Sequence, residues 1–365
     1  GSVFKLAASL GILNEGVVTP EYQVEDPGKI TLMQKFYDTE VGIPLDYYCW
    51  IFKSTGGGHG MQDFLQGFAN SCDVYFYKVG GGYKDEVQGN GLGIYRLGEY
   101  AKALGYNRTT GLELPGEASG LIPDPQWKRL TQGENWSTGD TYIATIGQGY
   151  VTSTPIQVLV SAAIIANDGK YMKPTLIKNY LDAEGHVTQT FQPTQLWDIT
   201  TDPKITIFDQ DNQPVYITDA NGKPIPILDE NGNPVKNMFG EIQYQREQKA
   251  IAPWVVKKVQ EGMRLVVTEG TAKAPFEGET YESAGKTGTA EYCDDIARAK
   301  NLCNPGMWPA HAWYIGYAPY NDPEIAVVAF VYHGQEGSKV AAPIVRDVLD
   351  GYFRLKAIDA NPNTP

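Results

Sequence analysis

The sequence predicts an α+β fold, with an antiparallel sheet that carries helices on its faces. Two β-like runs, 311–317 and 324–332, follow each other across a turn at 321–323. Segments with apolar residues at helical spacing occur on both sides of these runs, which favours helices packed against one sheet. With 365 residues, 42% of them hydrophobic, the chain is long enough for one large domain or two.

Helices are predicted in five segments: 2–14, 94–105, 154–167, 252–267 and 342–355. The third begins with Thr154 and Pro155, which suit an N-cap and a first helical position. Residues 63–77 also follow a helical pattern. These are the helices we expect around the sheet.

The stretch 180–250 differs from the rest of the chain. A ten-residue repeat, 209–214, 219–224 and 229–234, runs from Asp to Pro, and two copies contain the hairpin dipeptide Asn-Gly. Calcium binding is an alternative, but hairpin chemistry alone explains Asp and Asn at such turns. We therefore predict a β-rich insertion. The expected organisation is a first domain part at 1–179, the insertion at 180–250, a second domain part at 251–356 and a disordered tail at 357–365.

Charge and hydropathy exclude some functional classes. The net charge of −13 and the lack of any Lys/Arg run argue against nucleic-acid binding. No run of about 18 apolar residues predicts a membrane-spanning helix. The chain opens inside a motif at Ser2, which suggests a fragment whose upstream part holds any anchor. A cloning remnant at Gly1 and Ser2 is the alternative.

Three short motifs supply the groups that acyl transfer through a serine ester requires. They are Ser2-Val3-Phe4-Lys5, Ser71-Cys72-Asp73 and Lys286-Thr287-Gly288-Thr289-Ala290. Each motif alone is weak, because a Ser and a Lys three residues apart occur in most proteins. Their combination predicts an enzyme.

Ser2 is the candidate nucleophile and Lys5 the base, because residues three apart lie on one face of a helix. A lysine becomes a base only where burial or a nearby cation lowers its pKa, and Lys286 is the candidate for that cation. Ser71 is expected to relay a proton to the leaving amine. Asp73 would face the same side if this segment is extended. Helix capping is the alternative for Ser71 and Asp73.

The third motif suits a substrate carboxylate. Because Gly288 has no side chain, another backbone can approach, and a substrate can add to the edge of the sheet. Thr287 and Thr289, together with Lys286, would bind the carboxylate. Backbone N–H groups of Ser2 and Thr289 would form an oxyanion hole, with each donor contributing roughly 10²–10³ in rate.

At these residues the chain resembles the class B penicillin-binding proteins. The segments 111–117, 146–150, 154–157 and 310–313 resemble that family as well. The middle motif ends in Asp73, where the wider family commonly has Asn, and this is similar to the elongation-type penicillin-binding protein 2 group. The resemblance covers nearly the whole chain except 180–250.

The resemblance implies a penicilloyl-serine-transferase fold, with a five-stranded antiparallel sheet, helices on both faces and an all-helical subdomain. The first strands of that sheet are expected to be missing from this chain, which puts the activity of the fragment in question. The implied function is peptidoglycan D,D-transpeptidation, in which stem peptides are the substrates, β-lactams acylate Ser2 and catalysis uses no cofactor. A serine β-lactamase or D,D-carboxypeptidase is one alternative. A non-catalytic penicillin-sensing or partner-binding domain is another.

The same resemblance implies a location and a partner. The location is the extracytoplasmic face of the bacterial inner membrane, where a membrane glycosyltransferase of the cell-elongation machinery is the expected partner. Growth of a rod-shaped cell wall is the process that such a pair would serve.

Four further residues form a candidate zinc site: Asp38, Cys49, His59 and Cys72. Their spacing matches no standard zinc finger, and Asp46 is an alternative to Asp38. The penicillin-binding protein 2 group has a similar His/Cys site, so the zinc would be structural. Two buried free thiols are the alternative. Cys293 and Cys303 are expected to form a disulfide outside the cytoplasm, and two free thiols are again the alternative.

Overall fold

A computed structural model of the chain describes residues 1–34, 42–237, 240–304 and 308–360. A 3₁₀ turn at Ser2–Phe4 precedes the helices, which are α1 (Lys5–Asn14), α2 (Phe52–Thr55), α3 (Phe64–Ala69), α4 (Asp73–Gly81), α5 (Ile94–Ala103), α6 (Pro125–Gln132), α7 (Thr138–Thr145), α8 (Pro155–Ala166), α9 (Pro253–Thr268), α10 (Lys273–Phe276), α11 (Asp295–Ala299) and α12 (Ala341–Ala360). The strands are β1 (Val24–Asp26), β2 (Lys29–Gln34), β3 (Ile43–Tyr48), β4 (Gly60–Gln62), β5 (Lys170–Met172), β6 (Asn179–Leu181), β7 (Val187–Thr190), β8 (Gln195–Asp198), β9 (Ile205–Thr206), β10 (Gln248–Lys249), β11 (Ala284–Glu291), β12 (Ala310–Ala318) and β13 (Ile325–Val331).

The central sheet is antiparallel, with the strand order β11-β12-β13. Helix α9 packs against β11, and helices α8 and α12 pack against β12 and β13. The predicted α+β class is therefore confirmed. Within the described residues this sheet has three strands, where the family resemblance implies five.

The predicted helices are present, with ends that shift by a few residues. Thr154 caps α8 in a reciprocal capping box with Gln157, and Pro155 occupies the first helical position, as predicted. The last helix is longer than predicted. The disordered tail predicted at 357–365 is wrong for residues 357–360, which are helical in α12, and residues 361–365 lie outside the described residues. No helix among the described residues is long and apolar enough to cross a membrane.

Helix α1 lies at the centre of the molecule. Every residue from Lys5 to Leu13 is buried, and the helix packs against α4, α5 and α9. A helix that is apolar on all sides is stable only in such a position. Burial of α1 therefore forces the Lys5 side chain, at its N-terminal end, out of water.

The repeat in the predicted insertion forms a set of stacked turns, and we call residues 207–248 the turn stack. Asp209, Asp219 and Asp229 each accept two backbone N–H bonds, from the residues two and four positions later, at 2.8–2.9 Å. The segment 242–247 returns along the stack and hydrogen-bonds to successive turns. These contacts confirm the hairpin interpretation, because the carboxylates satisfy the backbone of their own turns.

Cys293 and Cys303 are joined in a disulfide, which confirms that prediction. It closes the loop that leads from the end of β11 through α11.

Candidate active site

The 3₁₀ turn places Ser2 and Lys5 on one side of the chain. The backbone N–H of Lys5 bonds to the carbonyl of Ser2, and in a 3₁₀ turn residues i and i+3 eclipse each other. Ser2 therefore stands next to Lys5 at the N-terminal end of α1, as the sequence predicts.

Lys5 joins the first two motifs. Its Nζ donates to Asp73 Oδ1 at 2.7 Å, to the Ser71 carbonyl at 2.8 Å and to Ser71 Oγ at 3.3 Å. Lys5 is fully buried, and Asp73 and Ser71 are also buried. A buried ammonium needs such partners, because burying an unpaired charge is very costly. The predicted base and the predicted proton relay are thus in direct contact.

The segment Ser71–Asp73 is a sharp entry into α4. Ser71 has a φ of 52°, in the left-handed region that residues other than Gly rarely adopt, at a cost of about 1–3 kcal/mol. Backbone bonds from Ser71 to Phe68 and from Cys72 to Gly67 hold this conformation. The segment is a turn between α3 and α4 and not an extended strand, so the condition stated for Asp73 is not met. Asp73 reaches Lys5 because it is the first residue of α4, where a negative charge also suits the helix dipole.

Lys286 is fully buried on β11, and its Nζ donates to the Thr287 carbonyl at 3.1 Å. Burial, together with repulsion from Lys5, holds the pKa of Lys286 well below its ordinary value. The sequence predicts that Lys286 is the cation that acts on Lys5. Among the described residues Lys5 has a carboxylate partner, Asp73, whereas no ion pair is found for Lys286. The role of Lys286 as the cation that acts on Lys5 stays a prediction.

Gly288 allows two other backbones to lie against β11. A Cβ atom on Gly288 would lie 2.9 Å from Val3 Cγ1 and 3.2 Å from the Val3 nitrogen. On Gly337, a Cβ atom would lie 2.2 Å from the Gly288 carbonyl oxygen. The close backbone approach was predicted for a substrate, but in the structure it brings the turn that carries Ser2 against the third motif. All three motifs therefore meet at one site, which we call the cleft.

Both threonine hydroxyls of the third motif have partners within the protein. Thr287 Oγ1 lies 2.6 Å from Thr271 Oγ1, and Thr289 Oγ1 accepts a bond of 3.4 Å from the Gly337 nitrogen. Gln148 was not predicted to act here. Its amide donates to the Thr289 carbonyl at 2.8 Å and accepts from the Glu291 nitrogen at 3.2 Å, so it covers this part of the β11 edge.

A second cluster lies directly behind Asp73 and contains Asp26, Cys49, His59 and Cys72. One ligand atom from each of the four residues lies within 4.8 Å of the others. Asp26 Oδ2 is 2.7 Å from His59 Nδ1 and 3.1 Å from Cys72 Sγ, and the two sulfur atoms are 3.9 Å apart. Two sulfurs, one imidazole nitrogen and one carboxylate are a donor set that suits tetrahedral Zn²⁺.

The charges in this cluster are strongly coupled. Burial opposes ionisation of Asp26, but bonds from His59 and Cys72 lower the pKa of Asp26 below its usual range. Burial also opposes protonation of His59, but bonds to Asp26 and Cys49 raise the pKa of His59 to about 9. A bond from Cys72 lowers the pKa of the Cys49 thiol to about 6, whereas burial raises the pKa of Cys72. The cluster therefore favours one thiolate beside an imidazolium.

Three of the four predicted metal ligands are in this cluster, and Asp26 is the fourth member. The predicted fourth ligand, Asp38, lies outside the described residues. Its alternative, Asp46, bonds to Lys29 and Thr31 on the exposed hairpin of β2 and β3, so it is not part of the cluster. Sequence spacing gave no signal for Asp26, because the pairing of β1 with β4 brings it beside His59.

Two contacts connect the cluster to the cleft. Cys72 and Asp73 are adjacent in the chain, and the Trp50 nitrogen, next to Cys49, donates to Asp73 Oδ2 at 3.1 Å. Asp73 is thus held from one side by Lys5 and from the other by the segment that carries Cys49.

Comparison with known proteins gives the family of this chain. The sequence profile of the penicillin-binding protein transpeptidase domain matches residues 1–206 and 225–350. The peptidoglycan D,D-transpeptidase MrdA of Haemophilus influenzae is 28% identical over 363 residues, which cover 97% of this chain and 44% of that protein. The chain thus spans less than half the length of this curated relative.

Solved structures are similar over nearly the whole chain as well. The crystal structure of Pseudomonas aeruginosa PBP2 in complex with WCK 5153 has a TM-score of 0.64 at 29% identity, covering 96% of this chain and 58% of that one. A peptidoglycan synthase complex, solved for its coordination of polymerization and crosslinking, has a TM-score of 0.59 at 27% identity and covers 96% of this chain and 45% of that one. The cleft, the fold and these similarities agree, and the chain belongs to the penicillin-binding protein transpeptidase domain family.

Proposed function

We propose that this chain is a peptidoglycan D,D-transpeptidase domain that works through an acyl-enzyme on Ser2. The observation that carries the proposal is the position of Lys5 Nζ. It bonds to Ser71 and Asp73 and lies one turn from Ser2, in the cleft that β11 closes. The first motif supplies the nucleophile and the base, the second the proton relay, and the third the groups that bind the substrate.

In the proposed acylation, Ser2 Oγ attacks the carbonyl carbon of the D-alanyl-D-alanine bond and its proton passes to the neutral amine of Lys5. When the C–N bond breaks, the proton moves through the Ser71 hydroxyl to the departing D-alanine amine. An amine of a second stem peptide then attacks the ester and forms the cross-link, and its proton returns to Ser2 Oγ. Asp73 and Lys286 position Lys5 and Ser71 for these transfers.

Substrate binding is assigned to the third motif. Lys286, Thr287 and Thr289 bind the terminal carboxylate, which would take the place of the present hydroxyl partners. The N–H groups of Ser2 and Thr289 stabilise the oxyanion. A β-lactam would acylate the same serine, because its strained amide occupies the position of the D-alanyl-D-alanine bond.

The proposed location and partner of this domain are inferred from the similar proteins. MrdA is named as a peptidoglycan D,D-transpeptidase, and one similar structure is a complex that couples polymerization with crosslinking. We therefore place this domain at the extracytoplasmic face of the inner membrane. Its partner there would be a membrane glycosyltransferase that supplies new strands.

Zinc binding by Asp26, Cys49, His59 and Cys72 is proposed as a structural role. The donor set fits, and a bound Zn²⁺ would fix the entry into α4 and with it Ser71 and Asp73. No step of the reaction passes through the metal.

The test is the fate of the acyl group. The chain is incubated with a stem-peptide donor ending in D-alanyl-D-alanine and with an amine acceptor. We expect release of D-alanine and a cross-linked product, both of which are absent in Ser2→Ala. Release of D-alanine with only hydrolysed donor would indicate a D,D-carboxypeptidase. Fast turnover of penicillin would indicate a β-lactamase, and penicillin acylation without peptide turnover a sensing domain.

A further inference from the structure

A groove of about 640 Å³ lies between α5 and the turn stack, with β8 and β9 at its base. We propose that this groove is a second binding site, which takes the carboxylate-bearing stems of an uncross-linked peptidoglycan strand. The proposal rests on the proposed function, because it assigns to the same enzyme a site that holds its polymeric substrate away from the cleft.

The groove is positively charged, although the chain is strongly acidic. Four of its lining residues are cations, and only one, Glu99, is an acid: the cations are Lys102, Arg108, Lys204 and Arg246. The chain as a whole has a net charge of −13. A concentration of positive charge in a concave surface raises the local concentration of anionic ligands.

The single acid is already neutralised. Glu99 accepts from Lys102 at 3.0 Å and from the Thr206 hydroxyl at 2.5 Å. No carboxylate of the described residues forms an ion pair with Arg108, Lys204 or Arg246. Three cations therefore face the groove without an anionic partner.

Two of these cations are held by one aromatic ring. The Arg108 guanidinium lies 4.9 Å and the Lys204 ammonium 5.2 Å from the centre of the Trp197 ring. Trp197 is itself fixed, because its Nε1 donates to the Ala103 carbonyl at 3.0 Å and Tyr171 packs against it edge-on. Cations held in place lose less entropy on binding a ligand.

The remaining lining residues suit a peptide or sugar chain. Three glutamines, Gln243, Gln245 and Gln248, offer amide groups that donate and accept, and Tyr244 adds a hydroxyl and a ring. The volume lies within the 300–1,000 Å³ that small-ligand sites occupy, whereas a protein partner would need a broad interface. Carboxylate-bearing stems fit the charge, the amides and the volume.

One lining residue of the groove lies outside the match to the family profile. Ile217 belongs to residues 207–224, which the profile does not match, whereas the other lining residues lie within the matched ranges.

The groove lies away from the catalytic cleft. The Asn14 amide donates to the Tyr100 hydroxyl of α5, and Lys249 of β10 pairs with Glu15. These contacts place α5 and the base of the turn stack at the C-terminal end of α1. Ser2 is at the other end, about 15 Å away for ten helical residues. A peptidoglycan strand bound in the groove would therefore leave the cleft free. The cleft could then bind another stem of the same strand or a stem of a neighbouring strand.

The test compares two charge-reversal variants of the full chain. The groove variant combines Lys204→Glu with Arg246→Glu. The control combines Lys223→Glu with Lys236→Glu, which are exposed on the same turn stack and do not line the groove. Binding of fluorescent, uncross-linked peptidoglycan strands is measured by anisotropy at 150 mM salt, where the Debye length is roughly 8 Å. We expect the Kd of the groove variant to rise at least about tenfold and that of the control to stay near the parent value.

Three further probes identify the ligand chemistry. Strands with esterified stem carboxylates, and strands freed of their stems, should bind the parent chain about as weakly as the groove variant binds intact strands. The proposal would be overturned if the parent chain bound the treated strands as tightly as intact strands. It would also be overturned if the groove variant and the control variant had the same Kd for intact strands. Tighter binding of inorganic polyphosphate or of anionic phospholipid vesicles would also overturn it, because the ligand would then be a phosphate.

Penicillin acylation serves as the independent readout. Both variants should be acylated at the parent rate, which shows that they are folded and that the cleft is intact. If the chain binds strands through the groove but never acylates, the proposed function fails while the second site stands. If it acylates but the groove variant binds normally, the second site fails alone.

Discussion

Ser71, Cys72 and Asp73 are consecutive, yet they serve two different sites. Ser71 and Asp73 face the cleft and bond to Lys5, whereas Cys72 faces the cluster with Asp26 and Cys49. The cleft is built around an ion pair, and the cluster around donors that suit a metal. Because a single turn carries both, any change in the cluster acts on the cleft through the position of that turn.

The two sites differ in what their residues contribute. Under the proposed function the side chains of the cleft carry the chemistry, so a substitution there should act mainly on the acylation rate. The side chains of the cluster are proposed to hold the backbone, so a substitution there should lower the free energy of unfolding and reduce the acylation rate only through that change. Four substitutions test this difference.

Lys5→Met should have the largest effect. It removes the base, and loss of general-base catalysis costs about 10²–10⁴ in rate. Stopped-flow acylation by a fluorescent penicillin measures this loss, and metal content by elemental analysis should be unchanged. Lys29→Met is the matched control, because it breaks an exposed pair with Asp46. An acylation rate within threefold of the parent would show that Lys5 is not the base.

Cys72→Ser tests the cluster. Loss of one thiolate ligand should release the metal, and the free energy of unfolding should fall by about 3 kcal/mol, as for a ligand present at a hundredfold its Kd. Urea unfolding and metal analysis check this, and a chelator should give the same result in the parent chain. The acylation rate should fall less than in Lys5→Met. A freshly purified parent without bound metal would remove the zinc proposal.

Asp73→Asn should reduce the acylation rate less than Lys5→Met, because the base remains and only its carboxylate partner is lost. Loss of a bond between charged groups should lower the free energy of unfolding by about 1.5–3 kcal/mol. Stopped-flow acylation and urea unfolding measure the two effects. An unchanged free energy of unfolding would mean that the ion pair of Lys5 with Asp73 does not stabilise the fold.

Lys286→Met should change the free energy of unfolding least, and should raise it where the other substitutions lower it. The ordinary pKa of a lysine is 10.5, and burial lowers the pKa of Lys286 well below that value. Between the lowered pKa and 10.5 the unfolded chain binds more protons than the folded chain, so the free energy of unfolding of the parent rises with pH in this window. Below the lowered pKa the folded chain has the full cost of burying the charged Lys286 ammonium. The Met variant lacks this penalty.

At pH 7 the Lys286→Met variant should therefore be more stable than the parent by about 1 kcal/mol, with a flatter pH dependence and a much lower acylation rate. Thermal unfolding across pH 7–10 checks this. A less stable variant with an unchanged pH slope would contradict the buried, unpaired state of Lys286.

Much of the cleft could be predicted because its motifs encode local geometry. Ser2 and Lys5 are one turn apart, so any helical start brings them together. Gly288 indicated a close backbone approach, and the segment that approaches it within the chain is the turn with Val3. The pairing of Lys5 with Asp73 could not be predicted, because it depends on how α4 packs against α1.

Non-local pairing limited the remaining predictions. Asp26 reaches the cluster only because β1 pairs with β4, and no spacing in the sequence reports that register. The same is true of Gln148, which bonds to β11 from the segment after α7. In the turn stack each turn was predictable from its Asp and Asn-Gly residues, whereas the return segment that joins the turns was not.

The most direct test of the central claim is the site of acylation. The chain is treated with a penicillin, its intact mass is measured, and the adduct is mapped by proteolysis and tandem mass spectrometry. We expect one added penicilloyl group, on Ser2, and none in Ser2→Ala. An adduct on any other residue, or an adduct that persists in Ser2→Ala, would contradict the assignment of the nucleophile.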